Sequence, residues 1–227
     1  MERPFIFINS AMSADGKIST KERKQVRISG PVDFKRMDEL RAGSDAIMVG
    51  IGTIIADDPS LTVKAPVLRE NRIKAGFEEN PARVIVDSKA RTPPDADIFK
   101  KGTGKRIIIV SEAAPRDRIS RLAEKADIIV AGRDTVDLTQ AMEELKKRGI
   151  KRLMLEGGAT LNWGMFSAGL VDEIYTFVGN LIIGGKNAPT LVDGDGFLER
   201  SSVKLELINT EKMEEGVLLK WKVHLDK

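Results

Sequence analysis

The sequence contains no cysteine, which removes disulfides, thiolate nucleophiles, iron–sulfur clusters and cysteine-ligated zinc. It has a single histidine, His224, close to the C-terminus. A histidine-based triad and a multi-histidine metal centre are therefore excluded, and no metal site is expected. Acid–base work falls to carboxylates, lysines, hydroxyls, the lone Tyr175 or the substrate itself. No apolar run approaches the roughly 20 residues that cross a bilayer, and no secretory signal is recognisable. The chain reads as cytoplasmic, with no membrane partner. Aromatic residues make up only 5% of the chain, and the net charge of +3 comes from basic residues scattered among acidic ones. That pattern argues against a nucleic-acid surface.

What is present is an alternation of short apolar runs with segments of helical period. Pro4–Asn9 reads as a buried first strand, and Ala46–Val49, Arg83–Asp87, Arg106–Val110, Ile128–Val130, Lys151–Leu155 and Glu173–Val178 as later ones. Helical periods cover Val32–Ala42, with Ser29 as its expected cap, Arg116–Lys125, and Leu138–Arg148 led by Asp137. Pro66–Pro81 reads as a mobile surface loop. Lys204–Leu207 and Val217–Val223 flank "EKMEEG" as an antiparallel hairpin. The expected class is α/β: a mainly parallel central sheet with helices on both faces and a C-terminal antiparallel hairpin. A chain of 227 residues with no visible boundary is expected to form one domain, 1–227.

The most informative stretch is "MLEGGATLNWGMF", Met154–Phe166. An apolar run ends in Glu156, followed by two glycines and a helical segment. Strand, glycine turn and helix N-terminus can hold a phosphate through the amides of Gly158, Ala159 and Thr160. A plain βα turn has the same signature. Three further segments follow strand ends. "NSAMSADGKIST" (Asn9–Thr20) can lie over a bound ring or be an ordinary Asx turn. In "VGIGTIIADDPSLTV" (Val49–Val63) Thr53 opens a helical turn as cap or phosphate ligand, and Asp57 and Asp58 precede Pro59. "VIVDSKART" (Val84–Thr92) sets Ser88, Lys89 and Arg91 at a strand end, where a ribose 2′-phosphate can be received or a solvated loop can lie.

Taken together, "MSADGKI", "RISG", "LRAGSDAIMVGIGTIIADDPSLTV", "RVIVDSKAR", "LMLEGGATLNWGMFSAGLVDEI" and "NLIIGGKNAPTLVDGDG" resemble the reductase family of riboflavin biosynthesis, which has a dihydrofolate-reductase-like fold. The resemblance covers nearly the whole chain. It implies an NADPH site, with NADH an open alternative, containing Ala11, Thr53, Asp57, Ser88 and the turn Gly157, Gly158, Ala159, Thr160 and Leu161. It implies substrate contacts at Asn9, Gln25, Arg41, Leu61, Lys64 and Glu156, with Arg41 and Lys64 on a 5′-phosphate. It also implies a homodimer, for which Leu181–Ile183 and Val217–Leu219 are candidate interface runs. Fused members of the family carry a zinc deaminase half that needs cysteine and histidine ligands. This chain lacks them, so the expected form is a reductase domain alone, acting before deamination.

The implied reaction reduces the ribosyl chain of 2,5-diamino-6-(5-phosphoribosylamino)pyrimidin-4(3H)-one to the ribityl form by hydride transfer to C1′. Asp57 and Glu156 are the candidate catalytic carboxylates. Two rivals are weighed against it. A dihydrofolate reductase, or another NADPH-dependent reductase, would use a buried carboxylate on the first helix, where Asp33 and Asp38 lie. A non-catalytic nucleotide-binding module would need the cofactor site but neither carboxylate.

Overall fold

The apolar runs become strands because they are short, flanked by turn formers and, in most cases, rich in β-branched residues. In the computed structural model, which describes residues 2–24 and 26–224, they are β1 (Phe5–Ser13), β2 (Ala46–Gly50), β3 (Ala82–Val86), β4 (Arg106–Val110), β5 (Asp127–Val130), β6 (Arg152–Leu155) and β7 (Glu173–Gly179), with the hairpin β8 (Lys204–Met213) and β9 (Gly216–His224). The helices are α1 (Pro31–Ala42), α2 (Ile51–Asp57), α3 (Pro66–Lys74), α4 (Asp97–Lys100), α5 (Arg116–Ala123), α6 (Leu138–Lys147) and α7 (Ala159–Ser167).

The chain gathers into two compact units. The first comprises Met1–Pro4 and Asp38–Met154, the second Phe5–Met37 and Leu155–Lys227. In the first unit the strand order is β5-β4-β3-β2-β6, with β2, β3, β4 and β5 paired in parallel. Its core packs Ile47, Val49, Ile85, Ile108 and Val110 with Ile54, Leu61, Ile98 and Leu122. In the second unit the order is β1-β7-β9-β8; β1 and β7 are parallel, and β9 is antiparallel to both neighbours. This mostly parallel α/β architecture with its closing hairpin is the class expected.

Several boundaries differ from the sequence reading for identifiable reasons. β1 continues to Ser13, because β7 supplies partners as far as Ser13↔Gly179. Pro66–Pro81 is a loop only over 75–81: Pro66 opens α3 at the position where proline's missing amide costs nothing. Arg72 on that helix is buried, its guanidinium donating to the carbonyls of Ala42, Ser44 and Glu78. The hairpin strands run through most of "EKMEEG", turning only at Glu214 and Glu215. Glu214 then does what was expected of Ser29: its carboxylate accepts from the amides of Gly30 and Val32 at 2.9 Å each, satisfying the start of α1. Asp137 caps α6 as its position suggested, accepting from the Gln140 amide.

Candidate active site

In the first unit the chain between α2 and α3 is a polar knot. Arg41, in the last turn of α1 and buried, donates from Nη1 to the Thr62 carbonyl at 3.1 Å. Lys64 is exposed; its Nζ donates to the hydroxyls of Ser60 and Thr62, each at 2.8 Å. Both carboxylate oxygens of buried Asp38 accept backbone amides at 2.7 Å, one from Lys64 and one from Ala65. This grip fixes the path of the segment where α3 begins. Leu61, buried, holds a left-handed φ of +50°, a conformation a side-chain-bearing residue keeps only when its surroundings impose it. Desolvation and, next, the nearby Arg41 guanidinium lower the Lys64 pKa. Two cations therefore converge beside two hydroxyls, and a bound dianion would relieve their repulsion.

Thr53 does not cap α2. Gly50 is the N-cap and Thr53 lies inside the helix, half-buried. Asp57 ends α2 and is exposed, yet the protein around it desolvates its carboxyl enough to raise the pKa. Ser88 follows β3; its Oγ accepts from the Val136 amide at 3.0 Å, which leaves the hydroxyl proton to donate elsewhere. Neighbouring Asp87, fully buried, accepts from the amide and hydroxyl of Thr92 and, at 3.4 Å, from Arg91 Nε. Arg91 is thus partly neutralised, while Lys89 stays exposed.

In the second unit Glu156 directly follows β6 and is half-buried. Gly157 has φ of +95°, the Gly157–Gly158 peptide is cis, and Gly158 is the N-cap of α7 without a side-chain cap. The first intrahelical amide bond runs from Asn162 to the Gly158 carbonyl, so the amides of Ala159, Thr160 and Leu161 precede it with no side-chain partner. Asn162 Nδ2 donates to the Leu191 carbonyl at 2.8 Å, and the Asp193 amide donates to the Ala159 carbonyl at 3.2 Å. Those two bonds tie the chain after β7 to the start of α7. The same chain is clasped by Asp15, whose carboxylate accepts from Ser13 Oγ and from the amides of Ile183 and Gly184. The Ser13 hydroxyl leads the causes that bring the Asp15 pKa down to about 2.

On β1, Ala11 is half-buried and pairs in register with Phe177. Asn9 is buried, and its Oδ1 accepts from Arg36 Nη2 at 2.7 Å. Gln25 lies outside the described residues. Each unit thus gathers its own share of the expected residues: Arg41, Leu61 and Lys64 form one cluster in the first, and Glu156 through Leu161 one turn in the second. The sequence reading missed Arg36, and it missed the anchoring parts of Asp38, read only as a carboxylate for the folate rival, and of Asp15, present only within "MSADGKI". Only the Asp33–Arg36 spacing of three along α1 hinted at any of them.

An uncapped, glycine-led helix start suits a pyrophosphate, and a hydroxyl beside exposed Lys89 suits a ribose phosphate. Each group, taken within its own unit, fits a phosphate. The rival folate reading needs a carboxylate free on the first helix. Asp33 is engaged by Arg36 and Asp38 by two backbone amides.

A 2,5-diamino-6-ribosylamino-4(3H)-pyrimidinone 5′-phosphate reductase of Archaeoglobus fulgidus is 47% identical over 207 residues, covering 91% of this chain and 94% of that one. Its namesake in Methanothermobacter thermautotrophicus is 44% identical, covering 97% and 99%. Among solved structures, a pyrimidine reductase-like protein from Corynebacterium diphtheriae superposes with a TM-score of 0.83 at 21% identity, over 98% of this chain and 93% of that one, a likeness of fold. The family model described as the RibD C-terminal domain matches residues 4–219, and the chain belongs to that family.

Proposed function

We propose that the chain reduces 2,5-diamino-6-(5-phosphoribosylamino)pyrimidin-4(3H)-one to its ribityl form with NADPH, residues 1–227 acting as a single reductase domain. The observation that carries the phosphorylated substrate is the convergence of Arg41 and Lys64 beside the Ser60 and Thr62 hydroxyls. The high identity to two archaeal enzymes named for this substrate supports the pyrimidine.

When bound, the reduced nicotinamide supplies the hydride. The substrate's C1′ is at the aldehyde oxidation level; ring opening gives an imine, and hydride plus one proton complete the reduction. The residues' main task is orientation, which can lower a barrier by roughly 7–11 kcal/mol, whereas a general acid adds about 10²–10⁴-fold. Arg41 and Lys64 hold the 5′-phosphate. The amides at the start of α7 hold the cofactor diphosphate, with Ala11, Thr53 and Ser88 as further cofactor contacts. Leu61, Gln25 and Asn9 contact the substrate. Glu156 and Asp57 bind ribose hydroxyls or pyrimidine amines, and one donates the proton to the departing ring oxygen. The raised pKa of Asp57 favours that donating form. Near-normal turnover in both Glu156→Gln and Asp57→Asn would remove the proton donor from this scheme.

The direct test follows NADPH and NADH oxidation with the diamino compound, its deaminated counterpart and dihydrofolate in parallel. Preference for the diamino compound supports reduction before deamination. Preference for the deaminated one reverses the order, and activity on dihydrofolate alone overturns the substrate. A homodimer and a cytoplasmic location belong to the same proposal. β8, at the end of the second unit's strand order, exposes Leu205, Leu207 and Ile208, while Val217–Leu219 on β9 is half-buried. Light scattering on the purified chain and on Leu207→Lys tests the dimer; a monomer in the unaltered chain overturns it.

A further inference from the structure

Arg36 carries no role in the reaction as described above, yet its guanidinium is mostly buried and tightly held. Nε and Nη2 both donate to Asp33 Oδ1, at 2.9 and 2.7 Å, with side-chain exposures of 15% for Arg36 and 7% for Asp33. The same Nη2 donates to Asn9 Oδ1 at 2.7 Å. Arginine has donors only, so the group facing it must be the amide oxygen of Asn9. A flipped amide would set N–H against N–H in a desolvated site, which leaves the flipped form a minor state. Asn9 therefore turns its Nδ2 away from Arg36. That nitrogen makes no hydrogen bond among the described residues, and Asn9 retains 8% exposure.

We infer that Arg36 is a positioning residue that locks Asn9 as a hydrogen-bond donor toward the substrate, so that Asn9 reads an acceptor, the pyrimidinone carbonyl or an unprotonated ring nitrogen, and not an amine. The inference rests on the substrate-binding role proposed for Asn9. Asp33 is the anchor: it fixes the guanidinium, the guanidinium fixes the amide, and the amide selects the substrate's acceptor edge. An asparagine without such a partner would offer either end and would discriminate less.

The informative variant is Asn9→Asp, which keeps an oxygen for Arg36 but replaces the outward donor with an acceptor. Steady-state kinetics, calorimetric binding of the pyrimidine phosphate without cofactor, and Tm are measured together. Asn9→Asp is expected to keep its Tm within a few degrees and to weaken both KM and Kd by about tenfold or more, the loss of one buried donor–acceptor pair. Arg36→Met is expected to raise KM by about tenfold with a smaller change in kcat, and Arg36→Lys to recover part of that loss. In an Asn9→Ala background Arg36→Met should change KM little further, since the route through Asn9 is already gone. Unchanged KM in Asn9→Asp, or additive effects of Arg36→Met and Asn9→Ala, overturns the inference while leaving the reductase reading intact. A lowered Tm with wild-type KM in Arg36→Met makes Arg36 a structural residue only. No turnover of any pyrimidine by the unaltered chain overturns both.

Discussion

The segment 58–65 in the first unit and the turn 156–161 in the second, the two anion receivers of the proposed reaction, are built by opposite means. The first uses side chains: Lys64 donates to the Ser60 and Thr62 hydroxyls and Arg41 to the Thr62 carbonyl, while Asp38 accepts the backbone amides of Lys64 and Ala65. The second uses backbone: a glycine at φ +95° and a helix start with no side-chain cap. Side-chain receivers can be deleted one charge at a time. A backbone receiver is destroyed only by changing the shape of the chain.

That difference orders the expected effects. Gly157→Ala should do most harm, because an L side chain at φ +95° is strained by about 1–3 kcal/mol and the turn must reshape. Cofactor affinity, followed by fluorescence titration with NADPH, should fall by roughly ten- to a hundredfold. Wild-type affinity would mean that the turn does not hold the diphosphate. Lys64→Ala should raise KM for the 5′-phosphorylated substrate by about tenfold with kcat nearly constant, and should leave a dephosphorylated analogue unaffected. An equal loss on both substrates would detach Lys64 from the phosphate. Because the Lys64 pKa is lowered, the same contact should fade with rising pH before an ordinary lysine titrates at 10.5. A KM–pH profile in which the alkaline rise disappears in Lys64→Ala checks the sign.

Asp15 gives a stability prediction of the opposite sense. Its folded pKa, about 2, lies below the ordinary 3.8, so its clasp contributes fully above 3.8 and is lost as pH falls toward 2. Acid unfolding of Asp15→Asn should lack that component. Smallest of all, Asp137→Ala should cost about 1 kcal/mol of stability through loss of the α6 cap, with kinetics nearly unchanged. Altered KM there would show that destabilisation of α6 reaches the receivers.

The two regions also differ in how far the sequence disclosed them. The turn 156–161 was readable because its determinants are local: an apolar strand, two glycines, a helical period. The first-unit cluster was half-readable; Lys64 and Arg41 were named from the family pattern, but Asp38's grip on two amides belongs to tertiary structure. Thr53 was misread as a cap because a glycine, with no side chain to announce itself, fills that position. Pro66–Pro81 was misread because its charged residues masked a helix whose one buried member is an arginine. The Asn9 amide is held by Arg36, 27 residues away, and no periodicity records such a pairing.

The contact between Glu214 and the start of α1 reaches beyond equilibrium stability. It joins groups 184 residues apart in the chain, a separation that makes loop closure costly and folding slow. During synthesis α1 leaves the ribosome well before its partner, and its first amides stay bare until residue 214 has been made. Residues 5–37 and 155–224 can therefore complete their shared core only late in translation. A chain arrested before Glu214 should expose α1 to proteases and chaperones even though all its own residues are present.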